Sequence, residues 1–302
     1  MCSDLILLSK YFMEDRSFFA NKEFTGCIEV DHVARKSTAT RLFSKYPLKL
    51  IVPNKVAPSV DVIWIYALSY GGGFVSGDSV YIQIKIGSCC TTVFTTQAST
   101  KVYKSNAGLS CEQLFEVHIQ QKGTFAMLPE PVTCFQASKY TQLQVFHLAT
   151  DANVVLVDWC TSGRRECGEI WSFDSYKSTN HLYLEGKGPL FLDSMCLEHG
   201  DLTILERMQP FQVVGMLLLY GPELRNLCMQ LEESVQVLNR QALRSCSPGM
   251  PGLLVSCSTF GSKEVGLVVR IMATTTELVY EFLRHNLASL SSLVGVCPYG
   301  GK

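Results

Sequence analysis

The stretch "VYIQIKIG" (80–87) constrains the fold of this chain more than any other. Val80, Ile82, Ile84 and Ile86 fall on one face, and Tyr81, Gln83 and Lys85 fall on the other. That period of two marks a half-buried strand. "QLFEVHIQ" (113–120), "TQLQVFHLA" (141–149), "NVVLVDWC" (153–160), "EIWSFDSYKS" (169–178) and "HLYLEG" (181–186) also read as strands. They follow one another at a spacing of about ten residues, with few helical stretches between them. "GSCC" (87–90) reads as a turn and "TTVFTTQAS" (91–99) as a return strand rich in β-branched residues. The pattern predicts a mainly β chain of stacked antiparallel sheets, a sandwich or a helical-like array. Helical periodicity comes late. Leu224, Leu227, Leu231, Val235 and Leu238 follow Pro222, and Leu278, Phe282, Leu283, Leu287 and Leu290 precede Gly295. A small helical part toward the C-terminus of a single domain is therefore expected.

With 302 residues, 47% of them hydrophobic, the chain can bury a large core. A formal net charge of −1 and the lack of a Lys/Arg run argue against nucleic-acid or anionic-membrane partners. The longest apolar run, "VVGMLLLY" (213–220), is far short of the about 20 residues that span a bilayer. Asp4 sits where a signal peptide carries positive charge. A cytoplasmic protein is expected. The 13 cysteines include no C-x-x-C pair, and His32, His118, His147, His181, His199 and His285 are scattered. Reduced, mostly buried thiols and no tight metal site follow from that spacing. No G-x-S-x-G or other recognisable nucleophile context occurs, so no catalytic residue is assigned.

The loop "SYGGGFVSGDSV" (69–80) tests the idea of a phosphate cradle. Gly72 to Ser79 reads G-x-x-x-x-G-D-S, with Asp78 where a P-loop needs lysine. A strand follows where a helix N-terminus would supply amides to an anion. The dinucleotide pattern fails as well, because Ser76 holds the place of its last glycine. Gly72, Gly73 and Gly77 then read as turn residues, and Asp78 as an acid suited to a cation or a partner. Further polar candidates are Gln97, Ser99, Thr100 and Lys101, then Asp158, Gly163, Arg164, Gly168 and Glu169. On the residues alone two readings stay open. One is a protein-interaction module whose motifs are only turns. The other is a β-scaffold hydrolase with Asp158 and Glu169 as its acid–base pair.

"GGGFVSGD", "TTQASTKVY", "PEPVTCFQASKYTQ", "LVDW" and "SGRRECGE-W" occur in that order. Together with "STATRLFSKYPLKLIVP", "STFG" and "VVRIMATTTE", they resemble the hallmark segments of the UreD (UreH) urease accessory proteins, in the style of the plant-like branch. The resemblance runs from about residue 26 to 299. It divides the chain into an unmatched extension, 1–25, and a single UreD-type domain, 26–302. It implies a non-enzymatic protein that binds apo-urease and UreF, with the GTPase UreG reached through UreF. It further implies no tightly bound cofactor, and nickel(II) in transit through an internal polar tunnel. By motif match the path residues would be Asp78, Ser99, Thr100, Asp158 and Glu169. Gly72, Gly73, Gly77, Gln97, Lys101, Gly163, Arg164 and Gly168 would support them. A conduit suits such oxygen donors, since each must bind the ion weakly enough to release it, whereas a store would use imidazole or thiolate.

Overall fold

The computed structural model describes residues 22–53, 56, 57, 59–106, 108–244, 252–261 and 266–300. Most of the 1–25 extension therefore lies outside the described residues. The chain opens with β1 (Gly26–Val33), β2 (Lys36–Ser44), β3 (Leu48–Ile51) and β4 (Ile63–Ser69). Next come β5 (Ser79–Ile86), β6 (Thr91–Thr96), β7 (Thr100–Val102), β8 (Cys111–Ile119) and β9 (Thr124–Met127). They are followed by β10 (Val132–Cys134), β11 (Lys139–Leu148), β12 (Asn153–Thr161), β13 (Ser175–Leu184) and β14 (Gly188–Glu198). The C-terminal part holds α1 (Ile204–Met208), β15 (Val213–Tyr220), α2 (Arg225–Arg244), β16 (Leu253–Phe260), β17 (Gly266–Ala273), α3 (Thr276–Asn286) and α4 (Ser291–Val294).

Two sheets stack face to face. The first runs β14-β13-β11-β8-β5-β1-β2, and the second runs β16-β17-β15-β12-β9-β6-β4-β3. The mainly β character, the stacked sheets and the C-terminal helices match the expectation, but the pairing sense at the centre does not. β1, β5, β8, β11 and β13 pair in parallel, as do β4, β6, β9 and β12; antiparallel pairing is confined to the flanks. "GSCC" is a corner and not a hairpin turn. It carries the chain from β5 in the first sheet to β6 in the second, and the links β8–β9 and β11–β12 do the same. Successive corners stack, with Gln120 N donating to Ile86 O and Ala149 N to Ile119 O, each at 2.9 Å. The strands thus wind as coils. Each strand crosses over through the opposite sheet instead of through the helix that parallel strands ordinarily need. Period-two alternation looks the same in a hairpin and in such a coil, so the sequence pattern could not separate them.

Parallel register turns the inward residues into ladders. Ile28, Ile84, Val117, Phe146 and Leu182 lie side by side across β1, β5, β8, β11 and β13, and all are fully buried. Each such side chain contributes about 1.5–3 kcal/mol on leaving water. The outer face of the second sheet is covered by helices. Leu227, Leu231 and Val235 of α2, with Val279, Phe282 and Leu283 of α3, pack on Val93, Val155, Val157, Leu217 and Leu219. Among the described residues no helix is long and apolar enough to cross a membrane.

Candidate functional site

Next to the apolar ladder, the same register builds a polar one. Gln113, Gln142 and Ser178 are neighbours across β8, β11 and β13, and one step on Gln144 lies beside Asn180. All five point between the sheets and are buried. Asp158 of β12 meets them from the second sheet. It accepts hydrogen bonds from Gln142 Nε2 (3.1 Å), Ser178 Oγ (2.6 Å) and Asn180 Nδ2 (2.7 Å). Only 4% of Asp158 is exposed, and this burial pushes its carboxyl above the ordinary aspartate value while the three donors pull it back down. The Tyr140 hydroxyl extends the network, 2.6 Å from Gln113 Oε1 and 3.0 Å from Gln142 Oε1. Gln144 Oε1 and Asn180 Oδ1 are buried with no hydrogen-bond partner among the described residues. Unpaired buried oxygens are costly, and they mark a place built for something polar.

Glu130, 5% exposed, is the second buried acid of this region. Its amide donates to Thr96 Oγ1 at 2.9 Å, and the Tyr280 hydroxyl of α3 donates to its Oε2. Glu130, Asp158, Thr96, Thr100, Gln113, Gln142 and Gln144 all line one cavity of 20 Å³ between the sheets, room for about one water. Thr96, Thr100 and Gln113 also line a larger cavity of 120 Å³ bordered by Gln97, Ser99 and Gly72. On another side Glu130 and Thr96 border a cleft of 230 Å³ that reaches Tyr299. A polar seam therefore runs through the inter-sheet layer with two carboxylates at its middle.

The residues singled out from sequence divide between this seam and the surface. Thr100 and Asp158 lie along the seam, with Gln97, Ser99 and Gly72 on its outer cavity. Asp78 lines neither cavity. Its Oδ2 accepts from Val75 N at 2.9 Å while its own amide donates to Val75 O at 2.9 Å, so it closes the glycine turn on itself. Gly77 supplies that turn with φ +86°. A Cβ on Gly73 would come within 2.5 Å of Lys101 O, the carbonyl to which Phe74 N donates. Lys101 itself is exposed.

Glu169 sits at the surface and holds Arg164 in a two-point ion pair, while Arg164 lies 4.0 Å over the Phe135 ring. Arg164 brings the Glu169 carboxyl below its ordinary value. Gly163 passes close to Glu169 O, and Gly168 ends the short turn Arg165–Cys167. Asp158 and Glu169 share no hydrogen-bond partner, one enclosed and the other paired outside. They do not form the acid–base pair of a hydrolase.

Sequence reading missed Glu130 and the inward amides. In "TQLQVFHLA" the apolar Leu143 and Val145 suggest the buried face, whereas the structure turns Gln142 and Gln144 to the inter-sheet layer and buries Leu143 and Val145 on the outer face with Tyr81, Leu114 and Tyr183. The scattered histidines are not all apart either. The fold brings His118 and His147 together beside Glu116.

A family profile described as "UreD urease accessory protein" matches residues 25–298. The chain belongs to the UreD family. It is 45% identical over 291 residues to urease accessory protein D of Arabidopsis thaliana, covering 91% of this chain and 99% of that one. It is 33% identical over 285 residues to the urease accessory protein UreD of Sorangium cellulosum, covering 94% and 85% of the two chains. Urease accessory protein 4 of Cryptococcus neoformans is 31% identical over 285 residues, covering 83% and 86%. These UreD relatives are named as accessory proteins and not as enzymes, and the higher identity to the plant protein agrees with the plant-like style of the motifs.

Proposed function

We propose that this UreD protein is a non-enzymatic scaffold of urease maturation that passes nickel(II) along the inter-sheet seam to apo-urease. UreF, and UreG through UreF, would load it, and no cofactor would stay tightly bound. The observation that carries this reading is the buried file of oxygen donors, with Glu130 and Asp158 on one 20 Å³ cavity and the unpaired Gln144 and Asn180 oxygens beside it. Two carboxylates supply the charge that draws a divalent cation into a low-dielectric layer. Amide and hydroxyl oxygens are weaker ligands for nickel than imidazole or thiolate, which favours transfer over storage. The 20 Å³ middle is narrow, so passage of an ion needs the side chains lining it to move.

The test is urease activation in a host lacking its own copy, using Glu130→Gln, Asp158→Asn and the double variant beside Asp78→Ala. Folding is checked by circular dichroism and binding by capture of apo-urease. The double variant should still bind apo-urease but cut nickel content and urease activity at least tenfold. Asp78→Ala should leave both near wild type. Full activation by the folded double variant would reduce the protein to an interaction module.

A further inference from the structure

The outer face of the first sheet carries a second cluster, on the side of β8 and β11 opposite the seam. Parallel register sets His147 directly beside His118, and their rings stack at 4.6 Å with 16° between planes. Glu116 shares that face of β8. His118 Nε2 lies 3.2 Å from Glu116 Oε1, and one ligand atom from each of the three residues falls within 4.8 Å of the others. All three side chains are only partly buried, so the cluster is open to solvent.

Glu116 is held ready for this role. The Tyr81 hydroxyl (2.5 Å) and Gln83 Nε2 (3.1 Å) both donate to its Oε2, which fixes the carboxylate and leaves Oε1 toward the histidine. Lys85, the register neighbour of His118, is engaged by Glu29 at 3.3 Å.

Two imidazoles and a carboxylate are a donor set for zinc, nickel or another late first-row ion, not for calcium or magnesium. Bonds of about 2.1 Å place neighbouring ligand atoms roughly 3 Å apart. The 3.2 Å pair already meets that spacing, and the His147 ligand atom lies within 4.8 Å of the other two.

We propose that Glu116, His118 and His147 form a three-ligand surface site for a late first-row divalent cation, its remaining positions open to water or to a ligand from a partner. The site is on the opposite face of the sheet from the seam and stands without the transport reading. Metal-free full-length protein is titrated with Ni²⁺ and with Zn²⁺ by calorimetry, and with Co²⁺ by absorbance. Wild type should take up an equivalent with micromolar or tighter affinity and show a Co²⁺ spectrum with nitrogen ligation. His118→Gln and His147→Gln, folded by circular dichroism, should weaken that equivalent at least thirtyfold, and Glu116→Gln at least tenfold. Asp158→Asn should leave it unchanged. Uptake in the His118→Gln/His147→Gln double variant equal to wild type, or no uptake by wild type at micromolar metal, would reduce the cluster to a stack of rings and overturn the site.

Discussion

Replacing Asp158 with alanine strips one acceptor from three buried donors at once. Gln142 Nε2 keeps a second acceptor, Ser178 Oγ at 3.1 Å, whereas the Ser178 hydroxyl and Asn180 Nδ2 lose the partner at 2.6 and 2.7 Å. Each stranded buried donor costs about 1–3 kcal/mol. Two give roughly 2–6 kcal/mol, reduced by relief of the buried carboxylate and by water entering the enlarged 20 Å³ cavity, so a net loss of about 2–4 kcal/mol is expected. Burial raises the folded pKa of Asp158 above its unfolded value of 3.8. The folded state then binds the proton more tightly than the unfolded state does. The wild type accordingly loses stability as pH rises from about 3.8 to the raised folded pKa, and the alanine variant lacks that loss. The alanine penalty should therefore be larger near pH 4 than at pH 8. Urea unfolding followed by tryptophan fluorescence, with Trp159 next in sequence to the site, measures both. A penalty under about 0.5 kcal/mol at both pH values, or one that grows with pH, would refute the view that the Asp158 carboxylate organises the buried donors around it.

Gly73→Ala should lower the melting temperature by several degrees, because its Cβ would meet Lys101 O at 2.5 Å, while Gly71→Ala, with nothing within 4 Å, should show only the cost of φ +72°, about 1 kcal/mol. Differential scanning fluorimetry separates the two. The Cys134 thiol is pushed up to about 12 by complete burial, so it should resist a thiol reagent at pH 8 until the chain unfolds, while the exposed Cys89, Cys167 and Cys297 react at once, as mass spectrometry of the labelled peptides would read. Arg164→Ala should free Glu169, whose carboxyl Arg164 holds low, and an upward shift of the Glu169 titration seen by NMR would check the pairing.

Much of the layout was legible. "VYIQIKIG" becomes β5 with Val80, Ile82, Ile84 and Ile86 buried, and the leucines of 224–235 pack as α2 and the turn before it. The motif "LVDW" pointed to Asp158 by its likeness to the family segment, and the three donors around that acid supply the hydrogen bonds without which burying it would be costly. Asp78 and Glu169 carried the same chemical promise but are absorbed locally, by Val75 N and by Arg164. The sequence shows an acid beside a turn; it does not show whether the nearest donor belongs to that turn.

Alternation, turn residues and late helical periodicity determined on their own that this chain is a strand-rich protein with helices near its end. Local sterics and side-chain polarity act within a few residues and are written directly in the chain. The parallel winding, the seam and the His118–His147 pair were decided only by tertiary structure. Each depends on which strands become neighbours and in what register, and register is fixed by the summed packing of whole ladders such as Ile28–Ile84–Val117–Phe146–Leu182. Once that apolar ladder locks, Gln142 and Gln144 must face the second sheet and His147 must lie beside His118, although neither placement can be read from any single strand.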